Sequence, residues 1–486
     1  MGIIPQDIIS NAFGVDERGQ PKIIADAYQK LRETITELYD ERTWRLTEAA
    51  LSVQVSCILE DASNPLGLIF VAGPSTGKTT VLDFMKNLPM TLRLDKFTPA
   101  SFLTQATNVK SKDIKKVDLL PRMAYKSLHI PELAPLFSLP KEMLMENYAT
   151  LARVFDGNGL ATAGGVHGQR SLVGDYLFSF LGATTPLSQT AWNAMNKVGS
   201  RLLFLDAGNG QPCVQRRCRG KEIIKSTLQY KDKGKLAREA IKQYVDFFLE
   251  QLRPTNYEIP EEAPEDLRSE QSLVKHCGFL PRSVSWDKSQ DGDAAIDAIA
   301  FLAELLTTAR QDIRVWQETG EDGRRETNST GAVQEGVERA VTLMYSLARC
   351  HALISGRVGV TTDDIPLLIA VTISSLPDDR RKALQLLIAR SLPDKESLLG
   401  EFTITELMRW TGYADKTARL IMDKLHRTGI GSVRKGVGPN PTSFKLHHNY
   451  SWLIGDEFGQ LYQQWYGTAG DDSSPANSES ELELPF

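Results

Sequence analysis

The feature that most constrains the fold is a short apolar run that leads directly into a glycine-containing loop. Residues 66–72, LGLIFVA, follow the turn signal Asn64-Pro65 and continue into AGPSTGKT, residues 72–79. The next residues, TTVLDFMKNL, have a composition that supports a helix. An apolar run bounded by turn signals is typical of a buried strand. The sequence therefore predicts a buried strand, a tight loop and a helix in immediate succession, as in α/β proteins.

The loop AGPSTGKT has the pattern of a phosphate-binding P-loop, with Ala72 in place of the usual first glycine. In such loops glycine lets backbone N–H groups come close to the phosphates. Lys78 is expected to reach the β- and γ-phosphates, and the Thr79 hydroxyl is expected to hold Mg²⁺. The chain is therefore predicted to bind ATP with Mg²⁺. The predicted nucleotide contacts in this loop are Gly73, Pro74, Ser75, Thr76, Gly77, Lys78, Thr79 and Thr80.

Three further apolar runs have the character of buried strands: residues 125–130, 176–184 and 201–207. Helical patterns separate them, and this alternation predicts an α/β layer with a largely parallel sheet. From about residue 235 only helical periodicity remains. It is interrupted by residues 317–331, which are polar and contain glycine and are therefore expected to form a loop.

Hydrolysis of a bound triphosphate requires a carboxylate that polarises the attacking water. Glu132 follows the apolar run at 125–130 and is predicted to be this catalytic carboxylate. Pro131 stands where an Mg²⁺-directing aspartate is usual, so metal binding would rest on Thr79 and water. The alternative is that Glu132 is an ordinary surface glutamate after a buried strand.

Two later segments resemble parts of AAA+ ATPases. FLGATTP, residues 180–186, is similar to the sensor-1 strand end, and GSRLLF, residues 199–204, is similar to the arginine-finger segment. Their order resembles that of the MCM helicases and their relatives. The resemblance implies that Thr185 occupies the sensor-1 position and that Arg201 reaches the ATP of a neighbouring subunit, where it would stabilise charge on the γ-phosphoryl oxygens. The alternative for Arg201 is a surface arginine before a buried strand.

The helical region extends the resemblance. Residues 336–369 are similar to the lid of the MCM and MoxR groups, which implies that Arg339 occupies the sensor-2 position and contacts the γ-phosphate. A helix-surface charge is the alternative for Arg339. The glycine-rich residues 156–176, with His167 and Arg170, lie where the MCM-like branch carries a hairpin that touches DNA. A flexible connection is the alternative for this segment.

Residues 398–448 have the pattern of a winged helix. ITELMRWTG and DKTARLIMDKLHRTG are separated by a short turn, and a hairpin-like segment runs from Gly431 to Lys445. Such modules place the second helix in the major groove of DNA and basic wing residues on phosphate. DNA is therefore an expected partner, although some winged helices only contact proteins. The predicted DNA contacts are Lys416, Arg419, Lys424, Arg427, Arg434 and Lys435.

The net charge of −5 is carried by the last twenty residues, which contain five acidic residues and no basic one. Residues 1–466 are therefore neutral, and within them residues 215–242 form a basic stripe, which can bind a polyanion locally or be a solvated helical face. The tail ends in LELPF and resembles the acidic, Phe-terminated tails of single-strand-binding proteins. It is predicted to be disordered, and it is either a solubilising tail or a docking peptide for a protein partner.

Composition also restricts the compartment. No run of about 18 apolar residues occurs, so no membrane association is expected. The first residues, MGIIPQDIISNAFG, do not have the pattern of a signal peptide. The five cysteines are scattered and odd in number, which fits reduced thiols, so a cytoplasmic protein is expected.

These features predict an α/β AAA+ P-loop core with an all-α lid and a small winged helix-turn-helix domain. The resemblance implies a DNA-associated ATPase that assembles as a homo-oligomer, expected to be a hexameric ring, and acts as a helicase or replication initiator of phage or mobile-element type. Two alternatives stay open: a MoxR-like ATPase that remodels proteins, and a weakly hydrolysing ATP switch in defence or transposition control. The predicted parts are an N-terminal helical segment (1–59), the core (60–234), the lid (235–392), the winged helix-turn-helix (398–455) and the acidic tail (467–486).

Overall fold

The computed structural model describes residues 23–96, 98–104, 117–163, 169–196, 201–208, 230–311, 313, 315–319, 325–329, 335–391, 400–436 and 441–466. The predicted acidic tail and residues 215–229 of the predicted basic stripe lie outside these residues. The chain divides into two compact units. The first comprises Met1–Asn209, Glu222–Ala300 and Glu338–Val371, and the second comprises Gly210–Lys221, Phe301–Val337 and Thr372–Phe486.

The helices and strands in the described part of the chain are numbered here in sequence order. The helices are α1 (Ile23–Leu38), α2 (Glu41–Gln54), α3 (Lys78–Phe84), α4 (Leu119–Met123), α5 (Ala134–Phe137), α6 (Lys141–Val154), α7 (Gln189–Asn196), α8 (Tyr230–Gln251), α9 (Glu270–Cys277), α10 (Asp293–Arg310), α11 (Glu338–Ile354), α12 (Ile365–Ser374), α13 (Asp378–Ser391), α14 (Ile404–Thr411), α15 (Asp415–Arg427) and α16 (Asp456–Tyr466). The strands are β1 (Leu66–Val71), β2 (Thr91–Arg93), β3 (Ser127–Ile130), β4 (Gly159–Ala163), β5 (Gln169–Val173), β6 (Ser179–Thr184), β7 (Leu203–Asp206), β8 (Val315–Thr319), β9 (Arg325–Ser329), β10 (Glu401–Thr403), β11 (Gly431–Arg434) and β12 (Ser443–Leu446).

The first unit contains a parallel sheet with the strand order β2-β3-β6-β1-β7. In the pairing register Val71 lies opposite both Thr184 and Asp206, and Ile130 lies opposite Gly182. Every residue of β1, β3 and β6 is buried, as expected of parallel strands that helices cover on both faces. The predicted α/β core with a largely parallel sheet is therefore confirmed.

The four apolar runs that were predicted as strands become β1, β3, β6 and β7 of this sheet. Strand β2 was not predicted. It has three half-buried residues, Thr-Leu-Arg, and lies at the edge of the sheet, where pairing needs no continuous apolar run.

Helix α2, in the N-terminal part of the chain, packs against the parallel sheet. The Asp40 carboxylate caps its first turn by accepting hydrogen bonds from the Thr43 N–H at 2.7 Å and the Thr43 hydroxyl at 2.6 Å. Its buried face, which includes Trp44 and Leu51, packs against β1, β6, α3 and α11. Burial of such side chains stabilises the fold by about 1.5–3 kcal/mol each. The predicted N-terminal helical segment is thus an integral part of the first unit.

The glycine-rich interval between β3 and β6 contains an antiparallel hairpin, β4–β5, with Gly159 opposite Val173 and Ala163 opposite Gln169. His167 lies outside the described residues. Arg170 on β5 forms an ion pair with the buried Asp118 at 2.6 Å. Residues 159–163 therefore pair with residues 169–173 through their backbones.

The prediction of a loop over residues 317–331 is wrong. Val315–Thr319 and Arg325–Ser329 form an antiparallel pair, β8–β9, in the second unit. An antiparallel hairpin satisfies its backbone groups through its own ladder, so it can form from a polar sequence that has no apolar run. Polarity alone was therefore an insufficient reason to exclude strands.

The end of the second unit contains two short helices, α14 and α15, with β10 before them and β11 and β12 after them. A reciprocal capping box between Thr403 and Glu406 starts α14, and Gly412 ends it in the left-handed conformation. Helix α15 buries Ile421, Met422 and Leu425, and the antiparallel sheet has the order β10-β12-β11. Helix α13 packs against α14, α15 and β10, so it contributes to the same small core.

None of the helices in the described ranges combines the length and the apolar character needed to cross a membrane.

A buried ionic network joins α11 to the N-terminal helices. The His351 Nδ1 atom lies 2.6 Å from Asp364 Oδ1, and its Nε2 atom lies 3.1 Å from Glu48 Oε1. Arg357 donates to both Asp364 oxygens, at 2.6 and 2.7 Å, and the Tyr28 hydroxyl donates to Glu48. Burial alone would lower the pKa of His351, but Glu48 and Asp364 raise it to about 9. His351 is therefore a protonated, structural histidine at neutral pH.

This network predicts a defined pH dependence of stability. A raised histidine pKa contributes stability that is fully present below the unfolded-state value of about 6.5 and is lost as pH rises through about 9. We expect wild-type protein to lose roughly 3 kcal/mol of unfolding free energy across this window, and His351→Gln to be less stable at pH 6 with a flatter profile. Thermal unfolding at a series of pH values measures both. His448→Gln, at an exposed histidine of the second unit, should keep the wild-type slope; an equal slope in His351→Gln would contradict the assignment.

Candidate functional site

The P-loop starts at the carboxyl edge of the parallel sheet, between two neighbouring strands. The Ala72 N–H donates to the Thr184 carbonyl on β6 at 3.2 Å, and the Ala207 N–H after β7 donates to the Val71 carbonyl at 2.9 Å. The loop then continues to Lys78, the first residue of α3. In open parallel sheets ligands bind at the carboxyl ends of the strands, so this edge is the expected location of a binding site.

Two residues of the loop, Ser75 and Gly77, have the left-handed backbone conformation. Ser75 has φ 61° and Gly77 has φ 90°, and the Thr76 hydroxyl donates to the Gly73 carbonyl at 3.0 Å. Left-handed residues in a turn direct successive N–H groups to one side and make an anion-binding concavity. Pro74, Ser75 and Thr79 are exposed, whereas Gly73, Thr76, Gly77 and Thr80 are half-buried.

Lys78 lies along the rim of the loop. Its ammonium group donates to the carbonyls of Ala72 at 2.6 Å and Gly73 at 2.8 Å, and the residue is 7% exposed. Burial lowers the pKa of Lys78, and the charge of Glu132 opposes that shift. The predicted cation and the predicted catalytic carboxylate are therefore close enough to interact electrostatically.

Thr79 is the residue that fits Mg²⁺ binding. In the described ranges no group of three or more His, Cys, Asp or Glu side chains is arranged to hold a metal ion. Mg²⁺ in phosphate sites takes few protein ligands and completes its octahedron with phosphate oxygens and water. The exposed Thr79 hydroxyl beside Lys78 suits that limited role.

Glu132 follows β3 at the same edge of the sheet. The next N–H, of Leu133, donates to the Ala183 carbonyl on β6 at 2.8 Å, which fixes the path of the chain there. The Glu132 side chain is exposed, and its Oε1 atom accepts the Ala134 N–H at 3.0 Å. Pro131 is buried and offers no metal ligand. Glu132 is thus exposed at the same edge of the sheet as the P-loop, and the adjacent Pro131 is buried.

Strand β6 lies between the strands that lead to the P-loop and to Glu132. Its last residue, Thr184, is fully buried, and its hydroxyl has no hydrogen-bond partner among the described residues. Thr185 follows and is half-buried. The strand order therefore brings the predicted sensor-1 residue to the same edge as Lys78 and Glu132.

The two predicted γ-phosphate arginines meet at a different place. Arg201 Nη2 lies 3.2 Å and Arg339 Nη2 lies 2.9 Å from the same oxygen, Oδ1, of Asp156. Arg153 Nη1 lies 3.5 Å from the other carboxylate oxygen. Three guanidinium groups therefore converge on one carboxylate.

This arginine cluster, Arg153, Arg201 and Arg339 around Asp156, lies at the amino edge of the sheet. A Cβ placed on Gly67, the second residue of β1, would come within 2.9 Å of both Phe155 and Leu202, so the neighbours of Asp156 and Arg201 pack at the start of that strand. Five residues of strand separate Gly67 from Ala72, which corresponds to roughly 16 Å. The structure therefore brings the two arginines together but separates them from the P-loop of the same chain.

The predicted DNA contacts in the winged-helix region differ in their surroundings. Lys416, Arg434 and Lys435 are exposed. Arg419 is also exposed; it pairs with Asp415 at 2.7 Å and donates to the Thr442 hydroxyl at 3.2 Å, which links α15 to the hairpin.

The remaining two predicted contacts are held by carboxylates. Lys424 pairs with Asp379 on α13 at 2.9 Å, and its side chain is 15% exposed. Arg427 pairs with Asp423 one turn earlier at 2.8 Å. Five of the six predicted contacts are therefore exposed: Lys416, Arg419 and Arg427 on α15, with Arg434 and Lys435 after it. Lys424 instead serves to dock α15 on α13.

Comparison with known proteins adds no assignment: no protein-family model matches the sequence, and no curated protein matches it significantly. The function of the chain therefore has to be inferred from its residues and their geometry.

Some residues of the site were not predicted from the sequence. Asp156 pairs with the two arginines. Thr184 places a buried hydroxyl at the end of β6, the strand next to β1. Arg42 of α2 donates to the Thr76 carbonyl at 2.9 Å. The adjacent pair of threonines at the end of an apolar run is a signal that could have drawn attention to Thr184. Asp156 and Arg42 carry no local pattern, because their partners lie far away along the chain.

The loop geometry predicts unequal effects of alanine at its two glycines. A Cβ on Gly73 or Gly77 would meet no atom within 4 Å, but only Gly77 has a positive φ, of 90°. Gly77→Ala should therefore destabilise the nucleotide-free protein by about 1–2 kcal/mol through backbone strain alone. Gly73→Ala is the matched control and should stay within about 0.5 kcal/mol of wild type in denaturant unfolding. Equal losses in the two variants would contradict the left-handed conformation of Gly77.

Proposed function

We propose that the chain is an AAA+-type ATPase, similar to the MCM and MoxR branch, that binds Mg²⁺-ATP at the carboxyl edge of its parallel sheet. The observation that carries the proposal is the convergence of three adjacent strands at that edge. They place the P-loop with Lys78, the Thr184–Thr185 pair and Glu132 next to one another. Each residue at this edge is assigned the role that the chemistry of its side chain permits.

Binding and hydrolysis are assigned to different residues at this edge. The loop N–H groups and Lys78 bind the phosphates, and Thr79 holds the Mg²⁺ ion that neutralises phosphate charge. Glu132 orients and deprotonates the attacking water, as an exposed carboxylate near the γ-phosphate can do. Thr185 offers a hydroxyl between them. Pro131 removes one acidic group from the site, so we expect slower turnover than in a site with two carboxylates.

The position of the arginine cluster supports the proposal of a homo-oligomer. Arg201 and Arg339 lie at the opposite edge of the sheet from the P-loop of their own chain. The strand between Gly67 and Ala72, which joins the two edges, is roughly 16 Å long. Guanidinium groups bind phosphate oxygens well, so Arg201 and Arg339 suit the triphosphate of a second copy of the chain. A head-to-tail contact of this kind closes into a ring when its rotation permits, and the resemblance to MCM-like proteins favours a hexamer.

DNA is the proposed substrate of the assembled ATPase. The helix-turn-helix, the antiparallel β10-β12-β11 sheet and the accessible basic side chains of Lys416, Arg434 and Lys435 support a winged helix that binds DNA. The β4–β5 hairpin is a second candidate contact. Arg170 is engaged with the buried Asp118, so DNA contact by that hairpin would have to use other residues.

Two other functions remain as alternatives, each favoured by one feature. The winged helix could dock an adaptor for a MoxR-like ATPase that remodels proteins, since α13 and Asp379 already use one side of it for protein contact. Pro131 favours an ATP switch that hydrolyses weakly, of the kind used in defence or transposition control. The proposed protein partner of the acidic tail and the cytoplasmic location are further proposals; the latter is supported by Cys57, Cys277 and Cys350, which are buried and unpaired.

DNA-stimulated ATP hydrolysis tests the proposed function. Lys78→Ala should abolish turnover, and Glu132→Gln should reduce it by about 10²–10⁴-fold while leaving ATP binding intact. Double-stranded DNA should stimulate the wild-type rate. The double variant Lys416→Ala/Lys435→Ala should lose that stimulation, and its DNA affinity should depend less steeply on salt, by about one unit of slope for each phosphate contact removed.

Lys424→Ala is the matched control for the DNA surface, because Lys424 pairs with Asp379 instead of facing outward. It should lower stability and keep DNA stimulation. Turnover that ignores DNA would favour the protein-remodelling alternative. ATP binding without measurable turnover would favour the switch.

A further inference from the structure

Arg42 contacts the P-loop from a part of the chain that precedes it by 34 residues. Its guanidinium Nη2 donates to the carbonyl oxygen of Thr76 at 2.9 Å. Thr76 is the residue directly before Gly77 and Lys78. The contact therefore falls on the peptide that enters the most tightly turned part of the loop.

Arg42 belongs to a helix, α2, whose position is fixed by an N-terminal cap and by buried contacts. Arg42 is the second residue of α2 and directly precedes Thr43, whose N–H donates to the capping carboxylate of Asp40. The buried residues Trp44 and Leu46 follow it, and α2 packs against α3, the helix that begins at the end of the P-loop. The half-buried Arg42 has little freedom to leave the loop while α2 is in place.

The hydrogen bond has a direct consequence for the amide that follows Thr76. In a trans peptide the C=O and N–H groups point in opposite directions across one plane. A donor that holds the Thr76 carbonyl on one side therefore holds the Gly77 N–H on the other. Glycine tolerates both positive and negative φ, so the Gly77 backbone alone does not select either orientation of this peptide. Arg42 provides that selection.

Two other carbonyls of the loop, those of Ala72 and Gly73, accept hydrogen bonds from side chains of the loop itself. Lys78 donates to the carbonyls of Ala72 and Gly73, and the Thr76 hydroxyl also donates to Gly73. These contacts come from residues that the P-loop pattern itself contains. The Thr76 carbonyl is instead held by a guanidinium from α2, a charged donor that makes a stronger hydrogen bond than a neutral one.

We propose that Arg42 is a positioning residue of the nucleotide site, which keeps the Gly77 N–H directed at the phosphates of a bound nucleoside di- or triphosphate. This inference rests on the proposed function, because it assumes that the P-loop binds a nucleotide. Arg42 acts through the Thr76–Gly77 peptide and touches no phosphate. In P-loops the backbone N–H groups surround the α- and β-phosphates, so ATP and ADP should depend on Arg42 to a similar degree.

Equilibrium binding of Mg²⁺-ATP and Mg²⁺-ADP, with thermal unfolding of the nucleotide-free protein, tests the inference on the full chain. Arg42→Ala should weaken both nucleotides about tenfold, the loss expected for one hydrogen bond to a charged group. Arg42→Lys keeps the charge and one donor and should recover binding to within about threefold of wild type. Arg45→Ala is the matched control: it lies on the same helix, is half-buried and pairs with Glu41 at 3.9 Å. It should bind both nucleotides as wild type does.

The outcomes separate positioning from a purely structural role. Arg42→Ala that binds ATP like Arg45→Ala overturns the inference, whether or not its unfolding temperature falls, and leaves the proposed function standing. Tenfold weaker ATP binding at an unchanged unfolding temperature, with recovery in Arg42→Lys, supports it. If Arg42→Ala does not fold, Arg42→Lys provides the test. An Arg42→Lys protein that unfolds at the wild-type temperature but binds ATP more than tenfold more weakly would contradict the predicted recovery. Wild-type protein that binds neither nucleotide would refute the proposed function and this inference with it.

Discussion

The parallel pairing of β1 with β6 and β7 is the interaction on which the other features depend. It sets Val71, Thr184 and Asp206 at one level, so the P-loop, the threonine pair and Glu132 leave the sheet at the same edge. Because parallel strands have two distinct ends, the same pairing places whatever precedes a strand at the opposite edge. The position of Arg201 before β7 is a direct result.

The two edges of the sheet carry complementary charges in the proposed function. The carboxyl edge binds the anionic nucleotide, and the amino edge concentrates Arg153, Arg201 and Arg339 around a single Asp156 carboxylate. In the proposed function, one chain contains both halves of a catalytic site but does not bring them together. In this account Asp156 is the internal counter-ion that holds the arginines in place, and a neighbouring copy supplies the triphosphate that they serve.

Local sequence patterns predicted the central sheet because buried parallel strands need nearly continuous apolar residues, as in β1, β3, β6 and β7. The half-buried edge strand β2 and the polar pair β8–β9 have no such requirement; β2 was not predicted, and β8–β9 was assigned to a loop. In the site, too, local patterns could be predicted and the other features could not. The P-loop is a contiguous motif and could be recognised, whereas the contacts of Arg42 with Thr76 and of Arg201 with Asp156 join distant segments and are visible only in the folded chain.

The central claim, that one copy completes the site of another, is tested most directly by mixing two inactive variants. Lys78→Ala chains keep Arg201 but have a defective P-loop, and Arg201→Ala chains keep the P-loop but lack the arginine. The account predicts that each is inactive alone and that equal mixtures regain ATP hydrolysis, because about one head-to-tail interface in four joins an intact P-loop to an intact arginine. Mixtures that stay inactive, or Arg201→Ala protein that hydrolyses ATP at the wild-type rate, would contradict it.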